Sequence, residues 1–169
     1  MNKNKNVRII TGLLILAMVF SLSYIVNGRT SRAAQSAADC ATLCKAALKI
    51  TGNSDKLKYK SESAIDFGAL DSSDRKLVSQ IIYLCDKKEA YSIAVINTKS
   101  TKDAKALYKS LKTYKKNNSK SDYLSDYSAD EQKVFKNAVV TKKGTHVWYI
   151  AMSGKKSNNK GSKAISKSL

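Results

Sequence analysis

Thr145–Met152 is the stretch THVWYIAM, eight residues with no acid, lysine or glycine. In an extended chain, alternate side chains fall on opposite faces. His146, Trp148, Ile150 and Met152 would then share one side, and Val147, Tyr149 and Ala151 the other. Both sides are apolar, the pattern of a strand covered above and below, and so of a sheet with helices packed on it. Lys142-Lys143-Gly144, just upstream, is a tight-turn signal that makes Ala138–Thr141 the other strand of a hairpin.

Working outward, Ser128-Ala129-Asp130-Glu131 is a capping box preceded by Tyr127, and the helix it starts runs to about Asn137. Asn117–Asp126 is a polar linker. Ser100–Asn118 is the clearest helix, with Ser100 as cap and Asp103 three residues on. Ala104, Leu107, Tyr108, Leu111 and Tyr114 form its apolar face. Lys102, Lys105, Lys109, Lys112 and Lys116 recur at three- and four-residue spacing, a continuous stripe about 130° around from that face. Ser79–Cys85 (SQIIYLC) and Tyr91–Thr98 (YSIAVINT) form two β-rich runs joined by Asp86-Lys87-Lys88-Glu89. A single helix over Asp74–Leu84 uses the same apolar residues, and periodicity does not separate the two readings.

Asp71–Asp74 marks the start of a short helical turn. Leu57–Phe67 reads as irregular with one short strand. Ser31–Ile50 is Ala-rich with helical spacing and is closed by Gly52-Asn53. Ser153–Leu169 is rich in Lys, Ser, Asn and Gly, a basic low-complexity tail expected to be disordered or weakly helical near its end. The fold class expected is α+β over residues 37–152, a small, mostly antiparallel sheet of about four strands with packed helices.

The N-terminus carries a different signal. Ile9–Val26 is eighteen uncharged residues, about 27 Å as a helix against the roughly 30 Å core of a bilayer. It follows a basic head, residues 1–8, and precedes a linker, residues 27–36. A cleaved signal peptide has a shorter apolar region and a nearby small-x-small site. Here the nearest such sites follow Arg29 or Arg32, and Cys40 lies too far on for a lipidation signal. Residues 9–26 are therefore expected to be a retained transmembrane anchor, with secretion after cleavage as the alternative. The short head stays in the cytoplasm and the domain lies outside it.

The segment from about Glu89 to Met152 resembles a family catalogued as domain of unknown function 4358. The matching features are Ser92–Ile96, the helix start at Asp103-Ala104, Asp126–Glu131, and Asn137–Val140 followed by Lys143-Gly144 and a hydrophobic strand. The resemblance implies a secreted or membrane-anchored protein of Gram-positive bacteria. It implies no activity.

Acid–base and nucleophilic catalysis most often rest on histidine, and the chain has one, His146. The close acidic pairs, Asp71/Asp74 and Asp130/Glu131, stand where helix capping explains them. No nucleophile elbow, phosphate loop or zinc-protease motif occurs in the sequence. A non-enzyme without cofactor is the expectation. The alternative is a thiol or redox protein, or a hydrolase, using Cys40, Cys44, Cys85 or His146. Those four residues could be imagined around zinc, but their spacing is not that of a zinc ribbon. Outside the cytoplasm, Cys40 or Cys44 could bridge to Cys85. All three could equally be small buried residues.

Charge gives the sharpest functional hint. Four of the 31 basic residues lie at or before Arg29, leaving 27 beyond it against all 13 acids. Nearly all are lysine, which suits diffuse, salt-sensitive attraction better than base readout. The expected partners are the membrane through residues 9–26, anionic lipid or wall polymer through Lys102, Lys105, Lys109, Lys112 and Lys116, and another envelope protein. Nucleic acid is not expected, because the compartment is wrong and no exposed aromatic residues alternate with the lysines.

Overall fold

The computed structural model describes residues 39–169; the head, anchor and linker read over residues 1–36 lie outside them. Helices are α1 (Cys40–Thr51), α2 (Ser72–Arg75), α3 (Thr101–Asn117), α4 (Ser121–Leu124), α5 (Ala129–Lys136) and α6 (Lys155–Ser168), with a 3₁₀ turn at Ser54–Lys56. Strands are β1 (Tyr59–Ser61), β2 (Val78–Cys85), β3 (Ser92–Thr98), β4 (Val139–Lys143) and β5 (His146–Ala151). They form one sheet in the order β1-β2-β3-β5-β4. Every neighbouring pair is antiparallel. The fold is α+β as expected, with five strands where about four were read from the pattern. The short strand expected within Leu57–Phe67 is β1, three residues on the edge beside β2, and it makes the fifth.

THVWYIAM holds the sheet together. All six residues of β5 are buried, and it lies between β3 and β4, with Trp148 opposite Val95 on one side and Thr141 on the other. The alternation sorts its side chains as anticipated. Val147, Tyr149 and Ala151 join Ile81, Tyr83, Ala94 and Ile96 in a core closed by Leu107 and Leu111 of α3. Trp148 and Ile150 join Ile82, Ile93 and Val95 in a second core on the opposite face, closed by Leu43, Cys44 and Ala47 of α1 and Ile165 of α6. The same two-sided cover decides β2 as a strand, since Ile81 and Tyr83 enter one core and Ile82 the other.

The local start and stop signals operate as anticipated. Asp71 caps α2 through the Ser73 and Asp74 amides, and Ser100 caps α3 through the Asp103 amide. Ser128 and Glu131 bond reciprocally at the start of α5. Tyr127 packs edge-on against Phe135, centroids 4.9 Å apart. Gly144, at φ 57°, turns the β4–β5 hairpin through the left-handed region that glycine tolerates. The polar linker contains α4, whose Leu124 is buried with Ala90 and Phe135.

The C-terminal segment is a correction. Residues 153–169, read as a basic low-complexity tail, contain the fourteen-residue helix α6. It lacks a conventional apolar stripe because polar groups dock it. Asn158 is fully buried. Its amide nitrogen donates to the Asn137 and Ser153 carbonyls at 3.0 and 2.8 Å, and its oxygen accepts from the Ser153 amide at 3.1 Å. The Trp148 indole N–H donates to Ser162 Oγ at 2.8 Å, and Ser162 Oγ donates to Thr141 Oγ1 at 3.1 Å. Gly161 lets α6 press against α1, where a Cβ at this position would lie 2.6 Å from Thr51 Cγ2 and 3.4 Å from the Ala47 carbonyl oxygen. Packed structure therefore continues through α6 to Ser168, beyond the expected boundary at 152.

Gly161→Val is accordingly expected to cost about 1–3 kcal/mol or more, since a β-branched side chain must push the two helices apart. The double substitution Thr51→Ala with Gly161→Ala removes the clashing methyl and should recover most of the loss. Urea unfolding of the variants checks this, and an unchanged midpoint for Gly161→Val would show that α6 is not packed on α1.

Candidate anion-binding surface

The lysines of α3 fall as their spacing dictates. Ala104, Leu107 and Leu111 are buried, and Lys102, Lys105, Lys109, Lys112 and Lys116 are all exposed. They are not equivalent. Lys109 borders a hollow shared with Asp71, Asp74 and Ser110, and the Asp74 carboxylate accepts from Ser110 Oγ at 2.9 Å. Lys112 Nζ lies over the Tyr108 ring, 5.6 Å from its centroid. Lys115, a sixth lysine of the helix, is partly buried. Desolvation pushes its pKa down, and the charges of Lys155 and Lys112 add to the effect. The C-terminal part of α3 is thus within electrostatic reach of the start of α6.

The sequence reading missed a second stripe. In α6, Asn158, Gly161, Ser162 and Ile165 are buried, while Lys156, Lys160, Lys163 and Lys167 are exposed. At 100° per residue the two sets point about 180° apart. The available signal was small and polar residues at helical spacing, which a search for large apolar side chains passes over. Between the helices, β4 adds two exposed lysines. Val140 packs on the α3 side of the sheet and Thr141 bonds Ser162 on the α6 side. Strand alternation therefore places Lys142 on the first side and Lys143 on the second, where Lys143 Nζ donates to the Ser166 carbonyl at 2.7 Å.

Together α3, β4 and α6 carry thirteen lysines and one acid, Asp103. The salt bridges Lys60–Glu62, Lys88–Glu131 and Lys133–Asp130 use none of these thirteen. At the far edge of the sheet the two signs are mixed, Asp66, Asp86 and Glu89 lining a hollow of about 340 Å³ together with Lys60 and Lys87. Positive charge is thereby concentrated around the β4 edge.

The other candidate groups are divided by the sheet. Cys40, Cys44 and Cys85 are free and buried. Cys40 and Cys44 belong to the core closed by α1 and α6, and Cys85 to the core closed by α3. A Cys40–Cys85 or Cys44–Cys85 bridge is not formed, because Cys85 points into the opposite face from both partners. Cys40 donates its thiol to the Gln80 carbonyl at 3.9 Å. Burial pushes its pKa up to about 11 and that of Cys44 up to about 12. Burial also raises the pKa of Cys85. Reactive cysteines are activated in the opposite direction, towards thiolate at neutral pH. One proximity does arise, since Cys40 lies by the backbone of Asn97, whose cross-strand partner is His146. Both His146 and Cys40 are buried there. Among the described residues, no three His, Cys, Asp or Glu side chains are grouped to hold a metal ion.

No curated protein and no solved structure matches this chain. Residues 70–152, from the residue before the α2 cap to the end of β5, match the family model described as Domain of unknown function (DUF4358). That segment includes the α3 stripe and both hairpins, whereas α1, β1 and α6 lie outside it. Residues 70–152 are thus the part of this chain that corresponds to the DUF4358 family.

Proposed function

We propose that this is a single-pass cell-envelope protein of a Gram-positive bacterium, held by residues 9–26, with a non-catalytic extracytoplasmic domain that binds an anionic partner. The observation that carries the binding reading is the lysine field of α3, β4 and α6, thirteen cations with one acid among them. So dense a single-sign field raises the local concentration of anions and speeds their association. Lysine ammoniums are compact, mobile, strongly hydrated charges, suited to a diffuse partner. The non-catalytic reading draws on the separation of Cys85 from the other thiols and on the elevated thiol pKa values. The placement draws on the apolar run itself. Among the described residues, no helix is long and apolar enough to cross a membrane.

Two measurements test these parts separately. Cell fractionation with protease added to intact cells should recover the chain with membranes and remove the domain from outside. Recovery of the intact chain in the cytosol would overturn the placement. The full chain in zwitterionic detergent should be retained on immobilised heparin and released steeply with salt. Lys105→Glu, Lys112→Glu and Lys116→Glu together should weaken retention about a hundredfold, each lysine near an anionic surface contributing roughly 1 kcal/mol. Salt-independent retention would overturn the anion-binding reading.

A further inference from the structure

The two lysine stripes lie on opposite sides of one sheet edge. The α3 apolar face packs on the sheet, and its exposed stripe points away from that face. The buried face of α6 packs on the other side, and its stripe points outward in the opposite sense. Val140 of β4 packs against the core that α3 closes, and Thr141 of the same strand bonds Ser162 of α6. Both helices therefore flank the β4 edge, where Lys142 and Lys143 are exposed. The lysines form a belt that passes over one helix, around the sheet edge and over the other helix.

A flat anionic surface meets only one side of such a belt. With a helix layer on each face of the sheet and each layer about 10 Å thick, the outward lysines of α3 and α6 are separated by about 30 Å. Counter-ions screen charges beyond roughly 8–10 Å at physiological salt. A bilayer lying on the outward stripe of α3 therefore does not reach the outward stripe of α6, although the partly buried Lys115 of α3 feels Lys155 at the start of α6. A flexible linear chain of negative charges can follow the whole path.

Resting on the anion-binding reading, we infer that the partner of this domain is a flexible, linear polyanion that wraps the β4 edge and contacts the lysine stripes of α3 and α6 at once. The two stripes then act as linked sites. An anion long enough to reach both gains the second contact intramolecularly, and further length adds little.

Linear polyphosphates of graded length are the probe, with the full chain held in phosphatidylcholine nanodiscs. Affinity is read by fluorescence anisotropy, and lysine protection by acylation and mass spectrometry. The path around the edge is longer than the straight separation, about 45–50 Å for a half-turn around a stack of roughly 30 Å. Affinity should therefore rise about a hundredfold as the extended length of the probe passes that value, then level off. Lys105 and Lys112 should become protected at the same probe concentrations as Lys156 and Lys160. Lys156→Gln, Lys160→Gln and Lys163→Gln, all exposed and away from the α1 contact, should abolish the length dependence while leaving the weak binding of short probes. Equal affinity for tripolyphosphate and long chains, or protection of one helix alone, would overturn the wrapping inference. So would protection by phosphatidylglycerol nanodiscs with no polyphosphate binding, an outcome that leaves the parent reading standing. Absence of both polyphosphate binding and phosphatidylglycerol protection would remove the anion-binding reading itself.

Discussion

The indole N–H of Trp148 sits in the middle of the sheet with no access to water. A buried donor without an acceptor costs about 1–3 kcal/mol, and here the acceptor is Ser162 on α6. Satisfying that one group fixes much else. It holds α6 across β5 and β4, and it lines up Ser162 with Thr141. It brings Gly161 against Thr51 and Ala47 of α1. Asn158 locks the start of the same helix by bonding the β5 exit and the Asn137 carbonyl. A segment with few apolar residues is thereby ordered by polar groups satisfied inside the protein, in keeping with the rule that buried polar atoms are paired.

This docking determines the electrostatics. With Asn158, Gly161, Ser162 and Ile165 turned inward, the helix has to present Lys156, Lys160, Lys163 and Lys167 to solvent. They repel one another, and Lys115 of α3, whose pKa is lowered first by desolvation, also feels the charges of Lys155 and Lys112. Self-repulsion of this kind destabilises a compact domain. An anionic partner relieves it, so binding and stability are linked through the same charges. Around the hollow beside β1 and β2 the two signs are mixed, Asp66, Asp86 and Glu89 with Lys60 and Lys87, so the excess positive charge lies towards the β4 edge.

Much of the domain was legible before any coordinates. The β5 pattern announced a two-sided core because both of its alternating sets are apolar. Ser100, Asp71 and the Ser128/Glu131 box announced helix starts because a short side chain with an acceptor satisfies amides that have no other partner. The α3 stripe followed from spacing alone. A short strand was expected within Leu57–Phe67 but its bounds were not, because β1 is three residues long and its order comes from pairing with β2 rather than from its own pattern. The helix α6 was hidden because its buried face is made of asparagine, glycine and serine, residues that disfavour helices when solvent is the only neighbour. A bridge to Cys85 was one option from composition, and in the fold one-residue alternation in β2 sends Cys85 to the face opposite Cys40 and Cys44.

The central claim is that α6 is an integral, polar-docked layer of the domain and the carrier of its second lysine stripe. Amide hydrogen exchange of the full chain, resolved along residues 155–168, tests this most directly. The account expects the amides of Ser162 and Ile165 to exchange as slowly as those of α1, with Trp148→Phe, which removes the indole donor, speeding them selectively. Exchange of these amides at the rate of an unstructured chain would contradict it.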